Sequence, residues 1–198
     1  MNDDSDMVND LEELRRDVRY LKDRAEILDC VARHARGCDR HDEDLITGAY
    51  FPDATDEHGL ARNSGADYAA WANQAHAATS KVHTHNITTH NCEIDGDVAH
   101  ADSYSIVVLL GADGKTAQFI SGRYIDRLER RDGQWRIALR RSTVEVMFTA
   151  DASVLASKFF TRQGYIHGTR DKTDPSYERP LSLDAPGALW ESPGPSGT

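Results

Sequence analysis

Positions 1–10 read as a mainly polar tail, and then Leu11, Leu14, Val18, Leu21, Ala25 and Leu28 recur at alternating steps of three and four. That spacing keeps one apolar seam on a helix and predicts a heptad stripe. A stripe of fewer than three heptads packs on its own domain more often than it forms a free coiled coil, although it could also serve a subunit interface. Apolar positions continue from Val31 to Cys38, and the helix is expected to end near Gly37 and Asp39, where Arg40-His41-Asp42-Glu43-Asp44 begins a polar turn. Phe51-Pro52-Asp53-Ala54 reads as another turn. Residues 66–78 read as a short helix with Tyr68, Ala69, Ala72 and His76 on its inner stripe.

From Lys81 the period changes to two. Strands are expected over 83–94, 98–110, 117–129 and 135–148, parted by Asp95-Gly96-Asp97, Gly111-Ala112-Asp113-Gly114 and Arg131-Asp132-Gly133. Residues 152–160 could form a closing helix. Helices followed by a long antiparallel meander is an α+β order, with the curved sheet wrapped around the helices and either a solid core or a cone-shaped pocket between them. The domain is expected over 11–165, flanked by a disordered tail over 1–10 and an extended arm with a disordered tail over 166–198, rich in Gly, Pro, Ser and charge.

A chain of 198 residues holds one domain with trimmings and needs neither disulfide nor metal for a core. Its 23 basic and 33 acidic residues give a net charge of −10, which argues against nucleic acid or an anionic membrane as partner. Cys30, Cys38 and Cys92 have no paired spacing, so a reducing compartment fits. The acidic N-terminus and the short apolar run at 106–110 point to a cytoplasmic protein.

No phosphate-binding glycine loop, HExxH, CxxC or GxSxG is present, so no cofactor or metal is expected and chemistry must come from side chains. The densest cluster is His83-Thr84-His85-Asn86-Ile87-Thr88-Thr89-His90. On a strand His83 and His85 share a face and His90 points away, so a three-ligand metal site would need help from elsewhere. Asp39 closes a helix, where the dipole disfavours a carboxylate by ~0.3–1 kcal/mol, so something else must hold it. Arg36 or Arg40 could do so as a surface ion pair. A histidine could do so as well, and a carboxylate on one imidazole nitrogen makes the other a general base. Tyr50, Tyr104 and Tyr124 offer hydroxyls to a carbonyl or leaving oxygen, or half-buried core rings. His58 could line a pocket mouth or sit in a turn, and Trp71 and Phe148 could be core or the apolar wall of a substrate pocket.

The segment 27–58, with Gly37-Cys38-Asp39-Arg40-His41-Asp42 and Tyr50-Phe51-Pro52-Asp53-Ala54, resembles the opening of SnoaL-like proteins of the nuclear transport factor 2-like superfamily. Residues 85–99, Gly122-Arg123-Tyr124 and 130–138 continue the resemblance, which covers about 11–148. It implies a cone of curved sheet and three helices with a pocket inside. In the branch that holds scytalone dehydratase, bile-acid 7-alpha-dehydratase and hexachlorocyclohexane dehydrochlorinase it implies β-elimination without cofactor by an Asp-His pair.

Asp39 matches that family's aspartate and His85 its histidine, and Arg140 or Arg141 an arginine of the last strand. Alternation with Trp135, Ile137 and Leu139 favours Arg141, whereas the register of the resemblance favours Arg140, and Arg140 is the expected catalytic arginine beside Asp39 and His85. Two departures stand out: His34 replaces a tyrosine or lysine five residues before the aspartate, and Thr89 replaces an asparagine. His34 could be a second acid-base group or a polar helix residue. The resemblance also implies a homo-oligomer, trimer or dimer. The expected function is a dehydratase-type lyase on a hydrophobic cyclic or aromatic hydroxy-carbonyl compound. The alternatives are an isomerase, a cyclase, a formaldehyde lyase, or a non-catalytic ligand-binding or assembly module.

Overall fold

The structure, a computed structural model, describes residues 3–184 and 187–191, with side chains from residue 6. Helix α1 runs over Asp3–Arg40, so residues 3–10 continue the helix instead of forming a separate tail. Extending an established helix adds one hydrogen bond per residue fixed, and only nucleation is costly. The helix stops at His41, whose φ of 49° is left-handed. Asp42 then caps α2 (Glu43–Ala49) by accepting from the Leu45 N–H at 3.4 Å. The two helices meet so closely at Gly37 that a Cβ there would lie 2.7 Å from Ile46 Cγ1.

Strands β1 (Tyr50–His58) and β2 (Ala61–Ser64), helix α3 (Tyr68–Thr79), and strands β3 (Ser80–Asp95), β4 (Val98–Gly111), β5 (Thr116–Arg131) and β6 (Gln134–Asp151) follow. They form one sheet in the order β2-β1-β6-β5-β4-β3, with β1 parallel to β6 and all other pairs antiparallel. The four-strand meander is therefore present as β3 to β6, with two further strands at its edge. Residues 51–54, expected as a turn, belong to β1. Pro52 is tolerated there because pairing jumps from Tyr50↔Ile137 to Thr55↔Leu139, leaving a stretch in which no ladder N–H is needed.

Between α1 and the sheet lie Ile27, Cys30, Cys38, Ile46, Leu128 and Ile137. Asp23 ties the helix to the sheet, accepting from Trp135 Nε1 at 2.9 Å and from Arg130 Nη1 at 2.9 Å. The heptad stripe does not pack on its own domain: Leu14 and Leu21 are 58% and 63% exposed, and the inward face is Ile27, Cys30, Val31 and His34. The helix has two apolar faces, and at 38 residues it is about 57 Å long.

The expected closing helix is broken at Ser157 into a 3-10 turn (Ser153–Ala156) and α4 (Lys158–Thr161), which Ser157 caps. Beyond it, β7 (Ile166–His167) pairs with β8 (Ala188–Leu189). Residues 169–177 lie over the end of α1, anchored instead of projecting. Arg40 donates to Thr169 O at 2.9 Å and Asp174 Oδ2 at 2.6 Å, and Tyr177 OH donates to Asp42 Oδ2 at 2.6 Å. Lys172 also pairs with Asp42. The end of the expected disordered tail, 192–198, lies outside the described residues. Among the described residues no helix is long and apolar enough to cross a membrane.

Candidate active site

The last turn of α1 and the first half of β3 bring Asp39 and His85 together. Asp39 Oδ1 lies 2.7 Å from His85 Nδ1, and the two carboxylate oxygens accept from the His85 backbone N–H at 2.9 and 3.0 Å. These bonds hold a carboxylate that the helix dipole disfavours. Arg36 and Arg40 are committed to the C-terminal arm. With Nδ1–H donating to Asp39, the lone pair of His85 sits on Nε2.

Around this pair stand three further imidazoles. His83 donates from Nε2 to Cys38 O at 2.9 Å and accepts at Nδ1 from Arg170 of the C-terminal arm at 2.8 Å. Burial, then the neighbouring His76, His85 and Arg170, push its pKa down to about 2. His76 lies 4.1 Å from His83 between ring centroids, and burial and the His85 and His41 charges lower it to about 3. His41 is lowered too, by burial and the Arg170 and Arg40 guanidiniums. His41, His76 and His83 bring one nitrogen each within 4.8 Å of one another, as Asp39, His83 and His85 bring one atom each. His83 has no free lone pair for a cation, because a guanidinium holds one nitrogen and a carbonyl takes the proton of the other.

His85 forms part of the wall of a cavity of about 180 Å³ between α3 and the concave face of the sheet. Trp71, Ala72, Val107, Leu109 and Ile120 make its apolar walls, and His58, Tyr68, His76, Ser105, Tyr124 and Thr143 add polar groups. His85 and Asp39 also border an open cleft of about 550 Å³ under the C-terminal arm, so the pair stands between cleft and cavity.

The SnoaL-like domain pattern matches residues 19–141, from the middle of α1 to Arg141 on β6. This chain belongs to the SnoaL-like domain family. Solved structures share the fold. A hexachlorocyclohexane dehydrochlorinase (LinA type 2) superposes with a TM-score of 0.64 at 21% identity, over 69% of this chain and 94% of that one. Rv3472 of Mycobacterium tuberculosis, a protein of unknown function, gives 0.57 at 31% identity, over 65% and 75%. An NTF2-like protein with a cystatin-like fold from Novosphingobium aromaticivorans gives 0.58 at 23%, over 68% and 90%. No curated protein matches in sequence. The α+β cone expected from the sequence is the fold of this SnoaL-like protein.

Of the residues singled out in the sequence, His58, Trp71 and Tyr124 line the cavity with His85. Tyr50 stands behind the wall, donating to Asp56 Oδ2 at 2.6 Å. His34 is wholly buried among Tyr50, Tyr68 and Tyr124, and burial and the Arg140 charge keep it far below its usual pKa. It is a neutral core histidine. Tyr104 and Phe148, expected in the pocket, are outside it. Ser103 and Ser105 take the inner face of β4, so Tyr104 points outward beneath Arg123. Residues 144–151 of β6 are exposed, and Phe148 there stacks on Phe119 at 4.8 Å.

Arg140, and not Arg141, faces inward in this SnoaL-like protein. Ladder partners pass from Leu128↔Ile137 to Arg127↔Leu139, so Ala138 is an extra residue that reverses the alternation. The fully buried Arg140 is held bidentately by Asp126 at 2.7 and 2.6 Å beneath the Tyr124 ring, 4.0 Å from its centroid. It neither bonds to Asp39 or His85 nor lines the cavity.

Sequence reasoning passed over a second carboxylate-imidazole pair. The fully buried Asp56 binds His58 Nδ1, while His58 Nε2 lies 3.0 Å from Ser142 Oγ. The alternation of Asp56 and His58 was a usable signal, hidden by reading 51–54 as a turn. His76 and Tyr68, placed on the inner stripe of the short helix, do face the cavity. Arg170 had no signal, since only the folded arm brings it to His83.

Proposed function

We propose that this SnoaL-like protein is a cofactor-independent lyase that eliminates water from a small cyclic or aromatic β-hydroxy carbonyl compound. The observation that carries the reading is the Asp39–His85 pair, closed at 2.7 Å on the wall of a largely apolar cavity. His85 Nε2 removes the proton alpha to the carbonyl, and Asp39 holds the ring and offsets the imidazolium charge. Apolar walls exclude water and strengthen that electrostatic help. His58, oriented by Asp56, stands on the same wall to protonate the departing oxygen, and Tyr124 offers a hydroxyl to the carbonyl side. Arg140 acts as a positioning residue that fixes Tyr124 from below.

Isomerisation, ring closure and retro-aldol cleavage begin with the same proton removal. The second pair, Asp56–His58, favours elimination, because a departing hydroxide needs an acid. A mere binding module would gain nothing from two carboxylate-imidazole pairs, one of them with a fully buried carboxylate. A cavity of about 180 Å³ suits one ring or a compact two-ring system, since about 150 Å³ holds benzene. The test is 3-hydroxy-1-tetralone, which on loss of water becomes fluorescent 1-naphthol. Wild-type protein is expected to release it, and His85→Gln to lose about 10²–10⁴-fold in rate. Equal rates for the two proteins would overturn the reading.

A further inference from the structure

The apolar stripe of α1 has no partner within its own domain. Met7, Leu11, Leu14, Val18, Leu21 and Leu28 are exposed, while Ile27, Cys30, Val31 and His34 face the sheet. At 100° per residue the two faces point roughly 160° apart. The stripe therefore looks away from the body of the protein, and a partner helix laid along it would meet no part of the sheet.

Written as heptads, the stripe places Leu11, Val18 and Ala25 at a, and Met7, Leu14, Leu21 and Leu28 at d. Val18, the central a residue, is β-branched and lies between leucines at d, a combination that favours two parallel strands. The flanking positions decide the occupant. Asp10, Asp17 and Arg24 fall at g, and Arg15, Lys22 and Asp29 fall at e. In a parallel, in-register pair each g residue faces the e residue five positions on in the other chain. Asp10 then meets the partner's Arg15, Asp17 the partner's Lys22, and Arg24 the partner's Asp29. All three contacts are between opposite charges, and the two-fold axis repeats them. An antiparallel pair centred on the stripe would set Arg15 against the partner's Lys22 and keep only Asp17 against the partner's Arg24 as an attraction, so it matches fewer opposite charges. Among the described residues none of these six charges forms an ion pair in its own chain, although Arg24 Nη1 donates to Cys92 O at 2.9 Å.

We propose that two copies of this chain associate through residues 7–28 of α1 as a parallel, in-register coiled coil. The helix is already rigid at its C-terminal half, where Asp23 bonds Trp135 and Arg130 and Ile27 is buried, so pairing orders little. The exposed ion pairs add little affinity each and set register and direction.

Sedimentation of the full chain at micromolar concentration tests this. The mass of Leu14→Glu/Leu21→Glu is expected to be half that of the wild type, with unchanged circular dichroism because both leucines are exposed. Leu11→Cys is expected to form a disulfide-linked dimer under mild oxidation. An antiparallel pair would set position 11 against position 28, about 25 Å away, and native Cys30, Cys38 and Cys92 are buried. Asp17→Lys should weaken association several-fold, and adding Lys22→Asp should restore it. An unchanged mass for the double glutamate variant would overturn the proposal. Failure of the cross-link, or of the charge-swap rescue, would overturn its parallel register.

Discussion

Asp39 holds His85 at two places, taking the ring proton of Nδ1 at 2.7 Å and the backbone N–H at 2.9 Å. Both the tautomer and the position of the imidazole are thereby set by one carboxylate at the end of a helix. Asp39→Asn keeps an acceptor for the backbone N–H and removes the charge that steadies the imidazolium. Release of 1-naphthol from 3-hydroxy-1-tetralone is expected to fall by about 10²-fold or more with the circular dichroism spectrum retained. Undiminished release would show that the carboxylate is not used.

His58 and Asp56 bear on the leaving group and not on the first proton. His58→Gln is therefore expected to slow elimination of hydroxide and to leave deuterium exchange at C2 of 1-tetralone unchanged, since that probe has no leaving group. A parallel loss in both assays would assign His58 to substrate binding instead.

The buried imidazoles make the fold labile to acid. In the unfolded chain each titrates near 6.5, whereas His76 stays neutral to about pH 3 and His83 to about pH 2. Between those values the unfolded chain binds more protons, so stability present above pH 6.5 is lost progressively as pH falls. His76→Gln should lower the slope of unfolding free energy against pH in this window by up to about 1.4 kcal/mol per unit. Urea unfolding at a series of pH values measures it, and an unaltered slope would contradict the burial of a neutral His76.

Arg170 binds Ser80 O at 2.7 Å, Ser80 Oγ at 2.6 Å and His83 Nδ1 at 2.8 Å, and so anchors the C-terminal arm behind the pair. Arg170→Ala should cost about 1–3 kcal/mol, read as a drop of several degrees in Tm. Arg179→Ala, whose guanidinium bonds only local carbonyls, should be close to neutral.

Arg140→Met leaves the fully buried Asp126 without its cation and is expected to cost about 3–5 kcal/mol. Replacing both residues with apolar ones should recover much of that loss, which a denaturant series on the single and double variants would show.

The meander and the short inner helix were legible because period-two alternation and the glycine turns act locally, and α3 turns Tyr68, Ala72 and His76 inward as its spacing requires. Asp39 and His85 were legible as a pair only through the family resemblance, since residues 46 positions apart meet through tertiary packing. The Arg140 question turned on one bulge residue, Ala138, which alternation could not foresee. Strand β1 was missed because Pro52 mimics a turn where the ladder happens to need no donor. The outward heptad stripe shows the same limit, because periodicity finds an apolar face without saying what covers it.

The most direct test of the account is the rate at which the protein exchanges the C2 protons of 1-tetralone with deuterium oxide, followed by NMR. The wild type is expected to exchange them with His85 as base, and His85→Gln to be slower by about 10²–10⁴-fold. Exchange at the same rate in both proteins would contradict the claim that the Asp39–His85 pair removes a proton from carbon.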